Sequence, residues 1–101
     1  MKKHKEYLGA LSPKGPDMPA EAKIAYTRWL GMRSRCSNPK DVSYKYYGAK
    51  GIKVRFSSRV FIAWWLANIT KFKGKRPCVS RINHSKDYTI SNIRMESIRE
   101  N

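Results

Sequence analysis

Two asparagines nine residues apart, Asn92 and Asn101, close a segment that also holds Arg81 and His84. In a β-hairpin followed by a helix, side chains so spaced can meet at one cation. An imidazole then deprotonates water while the ion stabilises charge on the phosphorane and on the leaving oxygen. In that arrangement His84 is the candidate base, and Asn92 and Asn101 are candidate ligands for Mg²⁺ or another divalent metal. Each residue also has a plainer role. A turn histidine is usually just solvated, and Asn92 following Ser91 suits a helix cap. Asn101, the last residue, is placed to fray, and an exposed strand arginine mainly solubilises. Cys36, Cys78, His4 and His84 add up to a zinc set, but no close cysteine pair supports one.

A larger group of residues suits polyanions. Lysine and arginine number 22 against 7 acids, a net charge of +15 spread along the chain. Such a surface attracts nucleic acid through a strongly salt-dependent term. The candidates are Lys23, Arg28, Arg33 and Arg35 on a first helix, then Lys45, Tyr46, Tyr47, Lys50, Lys53 and Arg55, then Lys73, Lys75 and Arg76, with Arg81 beyond them. Tyrosines among lysines suit base stacking as well as the packing of a short strand. A membrane is the weaker partner, because the longest apolar run, residues 60–67, is too short to span a bilayer. The N-terminus lacks the apolar stretch of a secretory signal, and two cysteines fit a reduced compartment, so a cytoplasmic location is expected.

These residues need elements to position them. Gly9, Pro13, Gly15 and Pro16 among lysines predict a flexible basic arm over residues 1–18. A single domain should fill residues 19–101. A helix beginning near Pro19, with Asp17 as a cap, should carry Ala25, Trp29, Met32 and Cys36 on one face and end at the SNPKD turn. Gly48 and Gly51 predict a tight turn before a short strand at 52–54. Ser57 or Ser58 should cap a second helix over 59–69, apolar almost all round and therefore central. The tryptophans Trp29, Trp64 and Trp65 belong to the core. Residues 19–70 thus form an upstream helical module. A basic loop then leads to a ββα motif over 77–101: a strand at 79–83, a turn, a short strand near Tyr88, and a helix from about Asn92. The fold class expected is α+β, with an N-terminal basic helix, a central apolar helix and a C-terminal hairpin-helix.

The stretch SRIN at Ser80 to Asn83, with Tyr88, Asn92 and Asn101, resembles the C-terminal pattern of the small HNH endonucleases of phages and mobile elements. Residues 26–54, with their W…M…RC.NP and Y..YG..GI.V positions, are similar to the module that precedes it in such proteins. The resemblance covers about three quarters of the chain. It implies a ββα-metal fold and metal-dependent cleavage of DNA, yet Ser80 and Arg81 stand where the family has a metal-binding aspartate and a catalytic histidine, and Asn83 replaces a further acid. Neither serine nor arginine binds a cation or activates water well near neutral pH. The expectation is therefore a binder of double-stranded DNA, of HNH type, with a degenerate site in which Arg81 can hold a phosphate. An active nicking or homing endonuclease using His84 is one alternative. A module that docks on a host protein is the other. A phage origin would place the protein in a bacterial host.

Overall fold

The computed structural model describes residues 18–98. Nearly all of the arm, the Asp17 cap, His4 and Asn101 lie outside the described residues. The described elements are two helices, two strands and three short 3₁₀ turns, an α+β arrangement.

Helix α1, Ala20–Ser37, follows Pro19, whose backbone is extended at φ −61° and ψ 152°. Its end is set by Asn38, also extended, whose N–H donates back to the Ser34 carbonyl at 2.8 Å. Ala22, Ala25 and Met32 are buried, while Trp29 and Cys36 are half-buried, so the face predicted by three- and four-residue spacing packs inward. Two 3₁₀ turns follow, Tyr44–Tyr46 and Gly48–Lys50. Both glycines here are required. A Cβ at Gly48 would stand 2.2 Å from the Tyr44 ring and 2.5 Å from the Cys36 carbonyl oxygen, and Gly51 has φ +85°.

Helix α2, Ser58–Ile69, is capped by Ser57, whose hydroxyl accepts the Val60 N–H at 3.2 Å. Phe61, Ile62 and Trp65 are buried, and the two helices pack on each other through them. Phe61 stacks at 5.6 Å on both Phe56 and Trp64. Trp65 donates its indole N–H to Glu21 at 2.8 Å, and Trp29 donates to the Phe56 carbonyl at 3.1 Å. Helix α2, apolar almost all round, supplies the core as expected but from one face, since Val60, Ala63 and Ala67 are exposed. Trp29 and Trp64 likewise sit at the core's edge, half-buried.

The C-terminal segment departs most from expectation. Strand β1 is Pro77–Arg81, two residues earlier than predicted, and it pairs antiparallel with β2, Ile93–Ser97. A helix was expected from Asn92. Instead residues 90–92 make one 3₁₀ turn and the chain extends, because Ile93 and Met95 turn inward while Arg94 between them faces solvent. No ββα order therefore exists among the described residues; the pattern is a two-stranded ribbon with a long connection, residues 82–92. Tyr88 in that connection does not pair with β1. It forms an isolated parallel bridge with Val54, all that remains of the strand expected at 52–54. Its N–H donates to the Lys53 carbonyl, and its carbonyl accepts from the Arg55 N–H, both at 2.9 Å.

Candidate nucleic-acid interface

The residues expected to do chemistry are those that hold the 82–92 connection in shape. Arg81 is only 8% exposed. Its Nη1 donates to the carbonyls of His84 and of Lys86, the latter at 2.9 Å, and its guanidinium lies over Tyr47 at 5.2 Å and over Tyr88 at 5.3 Å. Burial of an arginine is tolerated when donors and charge are met in this way. Tyr47 and Tyr88 are themselves stacked, 6.1 Å apart, and the half-buried Arg35 lies over Tyr47 at 5.2 Å. Arg35 also reaches the Tyr88 hydroxyl at 3.5 Å. Burial pushes the Tyr88 phenol above its usual range, so it stays protonated at neutral pH.

Asn92 completes the knot. Its Oδ1 accepts the Asn83 N–H at 2.8 Å, while its Nδ2 donates to the Asn83 carbonyl at 3.1 Å and to the Asp87 carbonyl at 2.8 Å. This replaces the helix cap expected of it. Asn83 in turn closes an Asx turn, its Oδ1 accepting from the N–H and hydroxyl of Ser85. Asp87 bonds the Lys53 N–H at 3.0 Å and the Arg55 Nε at 2.8 Å; the Arg55 guanidinium holds its carboxyl below the ordinary carboxylate range.

A divalent cation does not fit this set. The Ser80 hydroxyl is enclosed and has no hydrogen-bond partner, Arg81 brings a positive charge of its own, and the Asn92 amide is committed on both sides to backbone. His84 is exposed and contributes its carbonyl to Arg81. Among the described residues no three His, Cys, Asp or Glu side chains converge. Burial pushes both free thiols, Cys36 and Cys78, above their ordinary range, which suits apolar packing and not ligation.

The basic candidates divide into two kinds. The arginines of α1 lie back on aromatic rings: Arg28 is 6.0 Å from the Trp65 ring centroid and Arg33 is 5.4 Å from that of Trp29, with Arg35 on Tyr47. The helix thus offers no single basic stripe, and Ile24, Thr27 and Leu30 share its exposed side with Lys23. Lysines of the loops project instead. Lys73, Lys75 and Arg76 are exposed in the loop before β1, whose backbone is tied to the end of β2: the Lys75 N–H donates to Ser97 Oγ at 3.1 Å and the Arg76 carbonyl accepts from Ile98 at 2.9 Å. Arg33 and Lys53 line one shallow depression together, and Tyr46, Lys50, Arg81 and His84 meet around another. Lys45 stands 5.2 Å over the Tyr46 ring. Lys86 was missed from the sequence; it is exposed beside Asn83, Thr89 and Ser91, and only its place in a polar turn hinted at it.

Of the described acids, Asp87 lies against Lys53 and next to Lys86, and the others are turned away from these lysines. Glu21 is turned to Trp65, Asp41 to Ser34 and the Ser43 N–H, Asp87 to Arg55, and Glu96 to Arg94. No helix among the described residues is long and apolar enough to cross a membrane. No family model, curated protein or solved structure matches the chain.

Proposed function

We propose that this protein is a non-catalytic nucleic-acid binder, built on the HNH-endonuclease pattern it resembles, that holds the phosphate backbone of double-stranded DNA with exposed loop lysines. One observation carries this reading: the described acids are turned to local partners, with Asp87 lying against Lys53 and next to Lys86, while Lys50, Lys73 and Lys75 are exposed and form no ion pair with a described acid. Ammonium groups left in this state bind phosphate and release its counterions. They position the protein without reading sequence. Arg81 and Asn92, which stand at site positions of the resembled pattern, serve the loop's architecture, and a reduced cytoplasm suits the two free thiols.

The test is a supercoiled plasmid incubated with the protein at low salt, with Mg²⁺, Mn²⁺ or chelator. A retarded but uncut plasmid under all three conditions is expected. Metal-dependent nicking that His84→Ala abolishes would overturn the non-catalytic reading and make His84 a base. A protein-docking role has one observation in its favour, the exposed Ile24, Leu30 and Val42. Plasmid that is neither shifted nor cut would turn attention to it.

A further inference from the structure

Tyr46 and Tyr47 are adjacent in sequence and opposite in environment. Tyr47 is half-buried, stacked on Tyr88 and covered by two guanidinium groups. Tyr46 is 56% exposed and, among the described residues, has no aromatic ring against it and has the Lys45 ammonium near its ring. It stands at the edge of a solvent-open pocket of about 520 Å³ formed with Lys50, Ile52, Arg81, His84 and Ser85. That volume lies within the range of small-ligand sites.

The lining is chemically mixed in a particular way. Ile52, 7% exposed, supplies an apolar floor, and Arg81, fixed by its loop carbonyls, supplies a positive charge that cannot swing away. Lys50 is exposed and forms no ion pair with a described acid, and Ser85 and His84 add groups that can hydrogen-bond the edge of a planar ligand. An aromatic ring, an apolar floor and flanking cations suit a base with its phosphate. A paired base has both faces covered by its neighbours, so it cannot enter such a pocket without leaving the stack.

We propose that this pocket takes one unpaired nucleotide, its base against Tyr46 over Ile52 and its phosphate at Lys50, so that the protein prefers DNA with an unstacked or single-stranded position. The proposal rests on the nucleic-acid reading above and adds the form of nucleic acid to it. The experiment compares two fluorescently labelled duplexes of the same sequence, one fully paired and one with a single unpaired nucleotide, by anisotropy at low salt. Wild type should bind the second about tenfold more tightly, the order expected for one base stacked on an aromatic ring. Tyr46→Ala should bring the two duplexes to equal affinity, and Tyr46→Phe should keep the preference. Equal binding of the two duplexes by wild type, or a preference that survives Tyr46→Ala, would overturn the pocket and leave the backbone reading standing. Binding of neither duplex would overturn both.

Discussion

The connection at residues 82–92, with the Arg81 that enters it, and the loop at residues 71–76 both carry polar and charged side chains, and they use them in opposite ways. In the first, Asn83, Asp87 and Asn92 hydrogen-bond neighbouring backbone, as does the buried Arg81 at the end of β1, while Arg55 meets Asp87 from outside. In the second, the backbone is held by Ser97 and Ile98 while Lys71, Lys73 and Lys75 face water. The difference separates charge that makes structure from charge that meets a partner. Changes in the first region should therefore move stability, and changes in the second should move affinity.

The largest effect expected is that of Arg81→Met. It strands the carbonyls of His84 and Lys86 and empties the space over two tyrosine rings, a loss of about 3 kcal/mol. The midpoint of thermal unfolding should fall on the order of 15 °C. Arg81→Lys should recover only part of this, because an ammonium can reach a carbonyl but lacks the planar face that lies over the Tyr47 and Tyr88 rings. If Arg81→Met instead left stability unchanged and weakened DNA binding, the distinction between the two regions would fail.

Asn92→Ala comes next. Three backbone groups lose a partner, at residues reached by solvent in part, for about 2 kcal/mol in urea unfolding. Affinity of the folded protein should hold. The joint variant Lys73→Glu with Lys75→Glu should do the reverse: unfolding shifts by less than about 0.5 kcal/mol, while affinity for duplex DNA falls roughly tenfold or more at low salt and the salt slope becomes shallower by about 2.

The smallest effect concerns pH. Asp87 titrates below the ordinary carboxylate range, held there chiefly by Arg55. Its carboxylate is favoured in the folded state, so its contribution is complete above the unfolded-state pKa and is lost as pH falls through the depressed one. Asp41, lowered by its bond from Ser34, acts in the same direction. Urea midpoints measured from about pH 5 to about pH 2 should fall, and Asp87→Asn should flatten part of that limb and leave the Asp41 part.

How far the sequence showed this depends on the range of the interactions. Pro19, the SNPKD turn, Ser57 and the two glycines are local signals, and each marks the boundary or turn it predicts. The alternation in IRMES was equally local, but an asparagine read as a helix start hid it; the observed strand follows the alternation. Arg81 was beyond reach. Buried arginines are rare, and its partners Tyr47 and Tyr88 come to it only through the Val54 bridge and the packing of α1 against the 3₁₀ turns. The arginines of α1 are a similar case, since their spacing does not reveal the rings on which they lie.

The central claim is that exposed loop lysines bind phosphate, and the salt dependence of wild-type affinity for a fully paired duplex tests it most directly. Between about 50 and about 200 mM salt the affinity should fall by a factor on the order of 10³, with a linear log–log slope. Affinity that barely changed across that range would contradict the account and point to an apolar contact in its place.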